Sequence, residues 1–110
     1  MKPPPKRFEV FLIQLDPTQG AEIQKTRPCV VISPDEMNTP LKTIIIAPLT
    51  SKIRRNYPMR VHCQFEGKNG QIALDQLRAI DVSRALRRLG SLDEQTALCV
   101  IETLQDMFAL

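Results

Sequence analysis

Leu15-Asp-Pro-Thr-Gln-Gly-Ala-Glu-Ile-Gln-Lys-Thr-Arg-Pro-Cys-Val-Val-Ile32 joins two apolar runs, Val10–Leu15 and Cys29–Ile32, through a connection too polar to be core. A loop this long in a small chain is either filler or functional, and its contents favour function. Asp16-Pro17 and Gly20 supply turn chemistry, because proline presets φ and glycine tolerates positive φ. Arg27 precedes Pro28, which biases its backbone toward extended geometry and sets its guanidinium at the mouth of a strand. A planar fork of donors with permanent charge suits a phosphate or a carboxylate there. Residue types alone fit equally a solvated arginine at a strand mouth.

Outward from this loop, the chain reads as strands. Glu9–Leu15 is apolar on both faces, Phe11, Ile13 and Leu15 on one and Val10 and Leu12 on the other, and so needs cover on both sides. Cys29–Ser33 is a second strand, closed by the turn-forming Pro34-Asp35 and Asn38-Thr39-Pro40. Lys42–Leu49, rich in β-branched residues, is a third. The loop from Thr50 to Pro58 carries Lys52, Arg54, Arg55 and Tyr57, which fits a solvated loop or a single-strand nucleic-acid groove. Arg60–Phe65 alternates, placing Val61, Cys63 and Phe65 inward and Arg60, His62 and Gln64 outward. Asn69-Gly70 signals a hairpin turn returning into Gln71–Ile80. Asp81–Arg84 predicts a helical turn and Ala85–Leu89 a last strand. Ser91 with Glu94 forms a capping-box pattern, and Ala97, Leu98, Ile101, Leu104, Met107 and Phe108 recur at helical spacing.

Composition bounds the possibilities. A chain of 110 residues, 43% hydrophobic, builds one modest core, so a single domain over residues 1–110 is expected, with residues 1–6 extended and mobile. Residues 91–110 hold Asp93, Glu94, Glu102 and Asp106 and no Lys or Arg, so the net charge of +3 rises to +7 over the first ninety residues. That surface attracts a polyanion. Cys29, Cys63 and Cys99 form no CxxC pair and leave an odd thiol, which fits a reducing cytoplasm. No apolar run is long enough to span a membrane, and no secretion signal opens the chain. His62, the single histidine, points away from its neighbour Cys63 on a strand, so neither a zinc site nor a two-imidazole acid–base pair is expected.

Five blocks stand in a fixed order: Asp16-Pro17-Thr18, Gly20-x-Glu22, Thr26-Arg27-Pro28 before an apolar strand, Ala47-Pro48-Leu49-Thr50-Ser51, and Asp75-Gln76-Leu77-Arg78-x-Ile80-Asp81. In them the chain resembles the MazF/PemK family of toxin endoribonucleases, collinearly over nearly its whole length. The resemblance implies a mainly β fold with α: an SH3-like antiparallel β-barrel of the MazF/PemK/CcdB kind with a C-terminal helix, paired as a two-fold homodimer. It implies a toxin that cleaves single-stranded RNA sequence-selectively, without metal or other cofactor, leaving a 2′,3′-cyclic phosphate and a 5′-hydroxyl and stopping translation. An acidic antitoxin is the implied partner, with operator DNA met only through the antitoxin complex. A gyrase poison of the same fold and a non-catalytic RNA-binding module are the alternatives.

Carried over residue by residue, the resemblance makes Arg27 the stabiliser of a pentavalent phosphorane and Thr50 a hydrogen-bond donor beside it. Glu22 and Asp75 are the acid–base candidates, although Asp75 fits equally a structural partner for Arg78 or a backbone amide. Thr18, Lys25, Thr26, Ser51, Lys52, Arg54, Arg55, Tyr57, Gln76 and Arg78 are the expected RNA contacts. The chain departs from the family at four places. Phe8 replaces a glycine at the strand entrance and Phe11 a tryptophan. Ala21 and Ala73 stand where PemK-like members carry a histidine or serine and an arginine.

Overall fold

Alternating and β-branched apolar runs form seven strands in a computed structural model, which describes residues 2–110. They are β1 (Glu9–Gln14), β2 (Thr26–Val31), β3 (Thr43–Thr50), β4 (Arg60–Phe65), β5 (Lys68–Ala73), β6 (Arg78–Asp81) and β7 (Ala85–Ser91). Helix α1 (Asp35–Asn38) sits between β2 and β3, and α2 (Glu94–Phe108) ends the chain. The sheet runs β4-β5-β3-β2-β1-β7, with β6 also on β3, and every pairing is antiparallel. β3 is the hinge of the fold: Thr43–Ile46 pair with β6, whereas Leu49 and Thr50 pair with β5. Changing partner along one strand curls the sheet into a half-barrel.

Both faces of the central strands are covered, as the apolar pattern of β1 requires. On one face Val10, Val30, Ala47, Leu49, Val61 and Ile72 meet Val100 of α2. On the other, Ile13, Leu15, Cys29, Val31, Ile44 and Ile46 pack together. Each fully buried Val, Ile or Leu contributes about 1.5–3 kcal/mol. The buried polar pair just beyond β2, Ser33 and Asn38, is also satisfied. Ser33 Oγ accepts from Ile45 N and donates to Asn38 Oδ1, and Asn38 Nδ2 donates to Ser33 O. The expected turn at Pro34-Asp35 is thus a short helix whose last residue plugs the core.

Several local expectations need correction. The β4–β5 turn is Glu66-Gly67, both left-handed at φ +52° and +76°, and Phe65 pairs with Lys68 across it. Asn69-Gly70 lies inside β5 instead, because a side chain at 70 would strike Thr50 O at 2.6 Å and only glycine lets β3 and β5 touch there. Gln71–Ile80 is broken by the 3₁₀ turn Leu74–Gln76. The helix cap is Asp93, not Ser91: its carboxylate accepts from the Thr96 hydroxyl and N–H, which hold it below the usual carboxylate range. Ser91 ends β7 and accepts from Arg88. On α2, Ala97, Val100, Leu104 and Met107 face the core, while Leu98 and Phe108 are exposed at 56% and 72%. In the expected mobile tail, Met1 lies outside the described residues, Lys2–Pro4 are exposed and Pro5 is buried.

Phe8 keeps the backbone geometry that a glycine would supply at the strand entrance. It takes φ +70°, donates its N–H to Val31 O, accepts from Leu92 N, and packs its ring on the core. Packing here outweighs the conformational cost of about 1–2 kcal/mol.

All three cysteines are free thiols, and no helix among the described residues is long and apolar enough to cross a membrane. Burial pushes the Cys29 thiol up to about 12, only partly countered by the nearby Arg27 and Arg78, and burial also raises Cys63. Cys99 is exposed on α2. Iodoacetamide at neutral pH is therefore expected to label Cys99 in the folded chain and to reach Cys29 and Cys63 only in denaturant, as read by peptide mass mapping.

Candidate active site

The β2–β3 register brings the first two functional candidates together. Cys29 pairs with Pro48 and Val30 with Ala47, which brings Arg27, two residues before the paired stretch of β2, and Thr50, two residues after that of β3, to the same end of the two strands. Both line a cavity of about 340 Å³ together with Glu22, Lys52, Arg54, Tyr57 and Arg60. Arg27 Nε donates to Gln24 O at 2.9 Å, which fixes the guanidinium and leaves both Nη groups for a ligand. Thr50 Oγ1 accepts from Lys52 N at 3.2 Å, so its own proton remains available to donate.

The β1–β2 loop that supplies Glu22 is held by residues far away in the chain. Gln76 accepts from Ile23 N at 2.7 Å and donates to Ala21 O at 3.2 Å, fixing the two residues that flank Glu22. Arg78 Nη1 donates to Leu15 O, and Arg84 Nη1 donates to Gln14 O and Asp16 O. Glu22, which lines the cavity, accepts from Gln19 N through Oε1, and its Oε2 has no hydrogen bond among the described residues. Gln76 and Arg78, expected as RNA contacts, thus spend hydrogen bonds on the loop. Gln76 still lines the cavity, and Arg78 lines an adjoining one.

Asp75 is paired with neither Arg78 nor a backbone amide. Its oxygens take Arg60 Nε at 2.6 Å and Nη2 at 3.1 Å, a bidentate ion pair. Arg60 is the site residue that the sequence reading passed over. It points away from the apolar core as alternation demands, yet its side chain is only 5% exposed, against 30% for Asp75. The Tyr57 ring covers it, with Arg60 Cζ 4.7 Å and Arg54 Cζ 5.6 Å from the ring centroid. Arg60 reaches the Arg27–Thr50 cavity and Asp75 does not. No local signal marks this pair, because its partners lie fifteen residues apart across a hairpin.

Among the remaining candidates, Ser51 lines the cavity. Thr18, Lys25, Thr26 and Arg55 do not. Thr18 bonds Asp16, Lys25 turns the chain at φ +73°, and Thr26 pairs with Gln14 in the sheet. The assembled lining has three guanidiniums, one ammonium and, among the described residues, Glu22 as its single carboxylate. Such a site binds an anion and offers one proton acceptor beside it.

The profile of the PemK-like, MazF-like toxins of type II toxin–antitoxin systems matches residues 6–108. The chain belongs to that family. It is 32% identical over 94 residues to endoribonuclease MazF9 of Mycobacterium tuberculosis, covering 77% of this chain and 80% of that one. It is 32% identical over 111 residues to endoribonuclease EndoA of Bacillus subtilis, covering 96% and 95%. The fold superposes on the crystal structure of MazF from Deinococcus radiodurans with a TM-score of 0.84 at 23% identity, covering 99% of this chain and all of that one. A mycobacterial endoribonuclease solved in complex with its cognate antitoxin matches with a TM-score of 0.79 at 19% identity, over 96% of each chain. The half-barrel with one C-terminal helix is therefore the fold of MazF toxins.

Proposed function

We propose that this chain is the endoribonuclease toxin of a toxin–antitoxin pair, cutting single-stranded RNA sequence-selectively by attack of the neighbouring 2′-hydroxyl. The meeting of Arg27 and Thr50, from the ends of β2 and β3, in one cavity with the Glu22 carboxylate carries the reading. Glu22 takes the 2′-hydroxyl proton, and the freed oxygen bonds to phosphorus. Arg27 and the Thr50 hydroxyl hold the charge that gathers on the non-bridging oxygens. The bond to the 5′-oxygen then breaks, that oxygen takes a proton from water, and a 2′,3′-cyclic phosphate and a 5′-hydroxyl remain. Lys52, Arg54 and Arg60 bind the flanking phosphates. Asp75 acts through Arg60 as a positioning residue, and Gln76 does the same for the loop.

Among the described residues one carboxylate and no imidazole line the cavity, a donor set too sparse for a divalent ion, which supports a metal-independent route. Single strands suit the site because their bases can be splayed and read. The antitoxin found with structural neighbours supports an acidic protein partner for the same cationic rim, with operator DNA met through that complex. Exposed Leu98 and Phe108 on α2 and Leu86 on β7 support a homodimer interface, and free thiols fit the cytoplasm.

The test is incubation of the purified chain with a long RNA in EDTA, followed by mapping of the ends. Recurrent cuts at one short sequence, with 5′-ends that a polynucleotide kinase labels directly, are expected. Intact RNA, or cutting that EDTA abolishes, overturns the proposal, and binding without cutting leaves an RNA-binding module.

A further inference from the structure

A second cavity, of about 380 Å³, shares Arg27, Thr50 and Ser51 with the first but opens on the opposite side of them, toward the β4–β5 hairpin. Its character differs. Where the first is rimmed by cations, the second has Pro28, Leu49, Cys63 and Phe65 for a floor and Glu66, Lys68 and Asn69 for a rim. We propose that this cavity is a nucleobase subsite, taking the base next to the scissile phosphate, and that Glu66 and Asn69 read its edge. The inference rests on the endoribonuclease reading and adds a specificity determinant to it.

A nucleotide is an anion joined to a flat, mostly apolar ring with polar edges. The two cavities reproduce that division on either side of one guanidinium: phosphate at the shared wall, backbone along the cationic side, base on the apolar side. The floor is firm. Phe65 lies against Gly90, where an added Cβ would sit 3.3 Å from the ring, and Gly70 brings β5 against the backbone of Thr50. The base platform and the proposed catalytic hydroxyl therefore belong to one rigid unit. The rim is free to bind, since Glu66 and Lys68 take part in neither ion pair among the described residues, Arg60–Asp75 and Arg88–Glu9. The tight Glu66-Gly67 turn holds the Glu66 carboxylate at the hairpin tip.

Edge chemistry narrows the ligand. A carboxylate only accepts hydrogen bonds, so Glu66 favours a base with an exocyclic amino group. An Asn amide both donates and accepts, and pairs with the N6 and N7 of adenine. Uracil has no exocyclic amino group, and its single edge donor, N3–H, lies between two carbonyl oxygens that repel the carboxylate, so it is the base least suited.

Two measurements on the full chain test this. In a titration followed by ¹⁵N NMR, adenosine 3′-monophosphate is expected to shift the amides of Glu66–Gly70, and uridine 3′-monophosphate to shift them far less. Glu66→Gln, at an exposed turn position, should erase the difference. In end-mapped digests of a long RNA, wild type should discriminate against uracil at one position flanking the cut, and Glu66→Gln or Asn69→Ala should relax that position about tenfold while leaving the others unchanged. Hairpin amides that respond to neither nucleotide, or equally to both, overturn the subsite whether or not RNA is cut. So do digests whose base frequencies are identical in wild type and both variants. Hairpin shifts selective for adenosine in a chain that cuts no RNA would support the subsite and reject the nuclease.

Discussion

Arg27→Ala is expected to slow cleavage of a long single-stranded RNA by about 10²–10³-fold, the usual cost of removing one preorganised donor from an anionic transition state. The fold should survive. Among the described residues the only structural bond made by the Arg27 side chain is to Gln24 O, and such a bond adds about 1 kcal/mol net. Arg27→Lys keeps the charge but loses both the fork and the Nε anchor, so it should recover little of the rate. Thr50→Val removes the donor and should cost a similar factor, whereas Thr50→Ser should not. Rates for Arg27→Ala equal to wild type, in a protein with unchanged melting temperature, would remove the guanidinium from the mechanism.

The central pair was legible because two strong signals met. An arginine fixed before a proline and a hydroxyl delivered by a β-branched strand were each readable locally, and antiparallel pairing of those strands brings both to one cavity. The extent of β4 and the helical turn before β7 were legible for the same reason, since alternation and turn chemistry are local. Where the reading failed, a distant contact overruled a local preference. Asn69-Gly70 is a strong turn signal, but the crossing of β5 over Thr50 needs a glycine at 70 for clearance, which moves the turn to Glu66-Gly67. Ser91 and Glu94 fit a capping box, yet β7 extends through Ser91 and leaves Asp93 to cap. That Gln76 also holds the β1–β2 loop was not legible, because its partners Ile23 and Ala21 lie more than fifty residues upstream. Helical spacing grouped Leu98 and Phe108 with the core face of α2, but it cannot say which edge of an apolar stripe is left uncovered.

Asp75→Ala should destabilise the chain by about 2–4 kcal/mol while leaving the acid–base chemistry in place. The Arg60 side chain is 5% exposed and both contacts from Asp75 go to it, so truncation strands a buried cation. Breaking a buried pair from one side costs about 3–5 kcal/mol, and the 30% exposure of Asp75 argues for the lower part of that range. Replacing both partners, as in Asp75→Ala with Arg60→Met, should recover part of the stability, because no charge is then left unpaired. Catalysis separates the two possible roles of the carboxylate. Were Asp75 the base, Asp75→Asn would remove the acid limb of the pH–rate profile together with nearly all of kcat. As a positioning residue it should raise KM, through a displaced Arg60 and a loosened Tyr57, and keep the acid limb. Glu22→Gln should do the opposite, losing kcat and that limb in a protein of normal stability, since Oε1 of Glu22 makes only a local bond to Gln19 N. An acid limb lost in Asp75→Asn and kept in Glu22→Gln would return the proton-accepting role to Asp75 and require its ion pair to open during turnover.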